Sequence, residues 1–230
     1  MKLPISKRLQ ICAGFVAPGE RVADIGCDHG YLGIYLLLNN RASSIIAADI
    51  NPGPLQAAVI NSEKYGVREK MQFFLSDGVT NIPRDFDTMV FAGVGGDTMV
   101  SVLDAAPWLR SRQYRLILQC QSKTPMLRQY LSEKGWRITE ESVLRDGKFL
   151  YTVMEVIYQP GYSLTPGECY FPPALLENPS HEVPAYYRWV LQGLEIALAH
   201  RRDTYQETAL QELKALAEQP SLDFLKETST

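Results

Sequence analysis

The stretch Val22-Ala23-Asp24-Ile25-Gly26-Cys27-Asp28-His29-Gly30-Tyr31-Leu32 decides how the chain is read. A short apolar run ends at an acid, two glycines follow, and an apolar segment, Tyr31–Asn39, resumes at once. This is the strand–turn–helix junction of an open α/β sheet, where ligands bind beyond the carboxyl ends of the strands. Glycine in such a turn lets the backbone approach a ligand with no Cβ in the way. A dinucleotide site would want G-x-G-x-x-G and a helix N-terminus free of acids for pyrophosphate. Here Asp24 and Asp28 stand in the loop instead, and two carboxylates repel phosphate and suit a cation.

Working outward, small and acidic residues recur where further strands should end. Ser44–Asp49 reads as a second strand closing on Asp49, Met71–Leu75 as a third running into Ser76-Asp77-Gly78, and Thr88–Ala92 as a fourth running into Gly93-Val94-Gly95-Gly96. A carboxylate at the end of the second strand can accept hydrogen bonds from ribose hydroxyls. Asp77-Gly78 is placed to meet an adenine edge. Each of these alone has a bland reading as a cap or turn residue; three acids at three successive strand ends favour a ligand. The ligand that fits is S-adenosylmethionine (AdoMet), which carries a sulfonium and an ammonium. The glycine run after the fourth strand replaces the polar-Pro-Pro-aromatic segment common in enzymes that methylate exocyclic amines, which leaves ring nitrogen, carbon and oxygen acceptors open.

The remaining segments complete a fold class. Ser6–Val16 reads as an opening helix, Pro54–Tyr65 and Thr124–Lys134 as covering helices, and Arg115–Gln119 as a fifth strand. Trp136–Val143 and Lys148–Tyr158, turning at Asp146-Gly147, read as a closing antiparallel hairpin. The expected architecture is α/β: a class I, Rossmann-like sheet of seven strands over residues 1–160. Residues 161–230 are expected to form a small, coiled-coil-like helical domain, entered through a Pro-, Gly- and Tyr-rich linker over Pro160–Pro173. There Pro184–Ala217 carries an apolar stripe at 3–4 spacing that Arg201 interrupts, so the helix should bend or break nearby. It reads either as a helical hairpin packing on itself or as an arm that grips a partner or substrate.

Composition limits the classes. In 230 residues, 46% are hydrophobic and 21% charged, as in an ordinary soluble domain. No apolar run approaches the roughly 20 residues of a membrane span, and Met1–Arg8 is too polar for a signal peptide, so no membrane partner and a cytoplasmic location are expected. Cys12, Cys27, Cys120 and Cys169 form no CxxC pair; free thiols and no metal are expected. The net charge of −3 does not by itself suggest nucleic acid, yet Arg110–Arg137 holds seven basic residues against one acid, Glu133. That run is either a phosphate-facing edge or a solvated surface. The oligomeric state is left open, a monomer among the readings.

The chain resembles the bacterial tRNA (adenine-22-N1)-methyltransferases, the TrmK family. The resemblance rests on Ser6-Lys7-Arg8-Leu9, the Val22–Leu32 segment, Ala48-Asp49-Ile50-Asn51-Pro52-Gly53-Pro54-Leu55, Ser76-Asp77-Gly78, Ala92–Gly96 and Leu116-Ile117-Leu118-Gln119. It implies AdoMet as donor and N1 of a tRNA adenine as acceptor. It places Asp24, Gly26, Asp28, His29, Asp49, Asn51, Asp77 and Gly78 around the cofactor, and Cys27, Gly30, Ile50 and Gly93 are expected beside them. The chain departs from the family at Val94, where Met is usual, and at Cys120-Gln121, where Pro often follows the glutamine. Asp28 is the candidate to stabilise positive charge developing on the base, with His29 orienting it or shuttling a proton. Gly95 and Gln119 are expected against the base, and Lys7, Arg8, Lys123 and Arg128 against RNA phosphates. Rival readings are a nicotinamide-dependent oxidoreductase, disfavoured by the missing G-x-G-x-x-G; an AdoMet- or RNA-binding module without catalysis; and a methyltransferase acting on another RNA, a protein or a small molecule.

Overall fold

A computed structural model describes residues 3–226. Among them, strands β1 (Glu20–Ile25), β2 (Ala42–Asp49), β3 (Met71–Leu75), β4 (Thr88–Val94), β5 (Arg115–Cys120), β6 (Trp136–Asp146) and β7 (Phe149–Tyr158) form one sheet in the order β3-β2-β1-β4-β5-β7-β6. The first five run parallel, and β7 lies antiparallel between β5 and β6. The chain steps from β1 outward to β3 and then returns to the other side of β1 with β4. That reversal makes the carboxyl ends of β1 and β4 the switch point where ligands bind in open sheets.

Alternation along the strands explains the layers. Ala23 and Ile25 of β1, Ile46 and Ala48 of β2 and Leu116 and Leu118 of β5 face one core, which α4 (Gly96–Ala105) and α5 (Thr124–Glu133) cover. Val22, Ile45, Ala47, Val90 and Ile117 face the other, beneath α1 (Lys7–Phe15), α2 (Tyr31–Leu38) and α3 (Pro52–Lys64). Ser6 caps α1, its hydroxyl accepting the Leu9 N–H. Strands buried on both faces read as nearly continuous apolar runs, which is why they are legible. Helix α4 was not anticipated: the glycines that precede it look like loop, and its cap, Gly95, offers no side chain.

The expected linker is corrected in part. Within it lies α6 (Pro166–Tyr170), with Thr165 and Glu168 forming a reciprocal capping box; Cys169 and Phe171 are buried. Then α7 (Ala174–Glu177), α8 (Val183–His200) and α9 (Thr204–Ala217) follow. The break falls at Arg201, whose backbone is extended, and Asp203 caps α9. Helices α8 and α9 pack on each other, with the Tyr187 hydroxyl donating to Leu213 O at 2.7 Å. Their core takes in Val143 and Leu150 of the hairpin. Among the described residues no helix is long and apolar enough to cross a membrane.

Candidate active site

At the switch point a cleft of about 1050 Å³, open to solvent, is lined by Gly26, Asp28, Asp49, Ile50, Asn51, Ser76, Asp77, Gly78, Gly93 and Arg8 among others. Its floor is a hydrogen-bonded turn. Gly26 and Cys27 both donate their N–H to Ala48 O, at 2.8 and 2.9 Å, tying the end of β1 to β2. Gly30 sits at φ 73 and caps α2, and a Cβ there would stand 2.9 Å from Ala58 Cβ; position 30 needs glycine both for the backbone and for the helix pressed against it. Asp28 also takes a left-handed conformation, φ 49.

Asp49 organises the turn. Its Oδ2 accepts the Asp28 N–H at 3.0 Å and its Oδ1 accepts the Asn51 N–H at 2.8 Å. Each carboxylate oxygen has a second lone pair for a ligand hydroxyl. Ile50, next along, is 59% exposed and lines the cleft, an apolar face for a flat ring. Ser76, which the sequence did not single out, is buried and accepts the Asn81 N–H while donating to Gly78 O, shaping the Asp77-Gly78 turn. Asn61 was also missed; its side chain donates to His29 O from α3. Asn61 carries no local signal, since it acts across the fold from α3, whereas Ser76 acts within its own turn.

Asp24 does not reach the cleft wall. It is buried, and its Oδ2 has no hydrogen-bond partner. Burial pushes its carboxyl up to about 7; a backbone hydrogen bond from Gly33 pulls it down, and the charges of Asp49 and Asp28 add a further upward push. Asp28, Asp49 and Asp77 in the cleft lining make it favourable to cations and unfavourable to phosphate. The donor set therefore fits an AdoMet-type ligand. Cys27 shares the loop through its backbone only: its side chain is buried in the core and burial raises its thiol pKa. His29 Nε2 stands 3.5 Å from Asp28 Oδ1, both side chains more than half exposed, and His29 is outside the cleft lining.

The acceptor side differs from expectation at two residues. Gln119 is fully buried; its Oε1 accepts the Gly93 N–H and its Nε2 donates to Cys120 O. It holds the β4 turn, with both its polar atoms engaged inside the fold. Arg128 is fully buried too, paired with Glu141 at 2.6 Å and donating to Cys169 O, Tyr170 O and the Tyr186 hydroxyl. It ties the sheet domain to the helical segment and is corrected from a phosphate contact to a buried hub. Periodicity cannot separate a buried arginine from a surface one when its partners lie in other segments. Arg8 lines the cleft, its Nη2 3.6 Å from where a Gly93 Cβ would lie. Lys7 is exposed, and Lys123 is exposed and paired with Asp97 at 2.5 Å. Gly95 precedes α4, beside Ser122.

Sheet order, antiparallel seventh strand and an acid-rimmed cleft at the switch point together define a class I methyltransferase fold. A family model described as a methyltransferase domain matches residues 5–154. The chain is 33% identical over 154 residues to the tRNA (adenine(22)-N(1))-methyltransferase of Bacillus subtilis, a match covering 66% of this chain and 65% of that relative. Among solved structures, the Bacillus subtilis m1A22 tRNA methyltransferase TrmK superposes with TM-score 0.76 at 28% identity, covering 98% of each chain. A Streptococcus pneumoniae protein in complex with S-adenosyl-L-methionine superposes with TM-score 0.81 at 30% identity, covering 92% of this chain and 99% of that one. The chain belongs to the methyltransferase-domain family and, within it, is a TrmK-family methyltransferase.

Proposed function

We propose that this protein is a cytoplasmic enzyme that transfers a methyl group from AdoMet to N1 of the adenine at position 22 of tRNA. The observation that carries the reading is the Asp49 carboxylate, bonded to Asp28 N and Asn51 N, at the head of a cleft rimmed by Asp28 and Asp77. The similarity to the Bacillus subtilis tRNA methyltransferase supports the choice of acceptor.

AdoMet, when bound, supplies an electrophilic methyl group on a positively charged sulfur. Asp49 and Asn51 would hold the ribose and Asp77-Gly78 and Ile50 the adenine moiety, with the Gly26 turn leaving the backbone open beside them. Adenine N1 attacks with its in-plane lone pair and needs no covalent catalyst; the site must align the reactants and exclude water. The product ring is cationic until the exocyclic nitrogen loses a proton. Asp28 stabilises that charge, with His29 orienting it. Arg8, which lines the cleft, and the exposed Lys7 and Lys123 meet phosphates.

The test is incubation of unmodified tRNA with the protein and AdoMet, followed by nuclease digestion and mass spectrometry. One N1-methyladenosine, mapped to position 22, is the expected product; a methyl group elsewhere, or none, overturns the reading.

A further inference from the structure

A second cavity, of about 730 Å³ including its open mouth, lies where α8 crosses the sheet domain, and none of its lining residues belongs to the cofactor cleft. Its walls are aromatic. Trp189 is 58% exposed, with its ring 5.7 Å from that of Tyr186; Tyr151 and Tyr170 also line the space. Its floor is the Cys120–Pro125 segment after β5. Gln121, Ser122 and Gln206 also line it. Gly193 stands in the middle of α8 on this cavity, with nothing within 4 Å of a Cβ placed on it. A glycine inside a helix is less favourable than alanine; here its effect is to leave the wall open.

The cavity also abuts the acceptor side of the cleft. Gln121 N donates to Val94 O at 2.8 Å, Gly96 N donates to Ser122 O at 2.9 Å, and Gln121 Nε2 lies 4.0 Å from a Gly93 Cβ position. One backbone partition thus separates the two spaces. N1 is on the Watson–Crick edge of adenine, so a polynucleotide presenting it must unpair there, and its neighbours lose stacking partners. Proteins take up such bases on exposed aromatic faces with polar groups at the base edges.

We propose that this cavity binds an unstacked nucleobase of the tRNA flanking the methylated adenine, with Trp189 and Tyr151 as its stacking faces and Gln121, Ser122 and Gln206 at its edges. The proposal rests on the tRNA reading above. It assigns the helical segment a direct part in seating RNA.

The experiment measures the Kd of an unmodified tRNA transcript against salt concentration, together with AdoMet affinity and Tm, for the wild-type protein and three variants. Gly193→Phe fills the cavity, Trp189→Ala removes an exposed ring without disturbing the core, and Ile196→Ala removes an exposed apolar side chain of the same helix outside the cavity. Gly193→Phe and Trp189→Ala should each raise the tRNA Kd by about fivefold or more. The slope of log Kd against log salt should be unchanged, because stacking releases no counterions. Ile196→Ala should bind like wild type. Wild-type-like tRNA affinity in both cavity variants, or an equal loss in Ile196→Ala, overturns the proposal. Wild-type protein that neither methylates nor binds tRNA instead overturns the reading on which it rests.

Discussion

Asp49 Oδ2 accepts the backbone N–H of Asp28 at 3.0 Å, so the carboxylate at the end of β2 holds the turn that follows β1. The same side chain accepts the Asn51 N–H, and one residue fixes both walls of the cleft. Asp49→Ala should therefore weaken AdoMet binding about 10–100-fold, the range for losing hydrogen bonds to a charged group. Isothermal titration reads this directly. Affinity within threefold of wild type would remove Asp49 from the binding site.

Asp24 gives the cleft a pH dependence. Its carboxyl, raised to about 7, holds a proton in the folded protein between pH 4 and 7 that the unfolded chain has released. Stability from this group therefore falls as pH rises through that window and levels off above it. A bound cation favours the ionised form, so at pH 6.5 AdoMet binding should release part of a proton from Asp24. Titrations in two buffers of different ionisation enthalpy measure the release. Asp24→Asn should abolish it and should remove the loss of stability between pH 4 and 7.

Gly30→Ala meets two obstacles, the positive φ and the Ala58 side chain 2.9 Å away. The backbone term alone is worth roughly 1–2 kcal/mol. The variant should unfold at lower denaturant concentration and bind AdoMet less tightly, since α3 and the turn must move apart. Ala58→Gly in the same chain relieves the contact but leaves the φ, so it should recover part of the loss and not all of it.

Arg128 and Glu141 are both fully buried and paired. Arg128→Met leaves the Glu141 carboxylate buried without its partner, at a cost of about 3–5 kcal/mol. Chemical denaturation should register that loss. In the fraction still folded, the salt dependence of tRNA binding should match wild type, because a buried guanidinium releases no counterion from RNA. A shallower slope would return Arg128 to the RNA surface.

Asp28 is tested by asparagine in preference to alanine, because its φ of 49 is a conformation asparagine adopts readily. Asp28→Asn keeps the turn and removes the charge. A fall in kcat of about 100-fold with AdoMet affinity within a few-fold of wild type is expected if the carboxylate meets the developing cation. Unchanged kcat would confine Asp28 to the cofactor loop.

The parallel strands, the acids at their carboxyl ends and the break at Arg201 were legible in the sequence alone. Doubly buried strands must be apolar throughout, loops that approach a ligand need glycine, and a charged residue in an apolar stripe has nowhere to pack. These are local consequences of chain chemistry, and they carry the fold and the cofactor half of the site. What only the tertiary structure decided is which polar side chains face inward. Gln119 and Arg128 look like surface residues in sequence, yet each is buried because partners in other segments satisfy its hydrogen bonds. Asp24 too is placed by the tertiary structure, its raised pKa coming first from burial, as is the aromatic cavity, whose walls come from β7, α6 and α8. Satisfaction of a buried polar group depends on atoms brought together by folding, and no spacing along one segment encodes it.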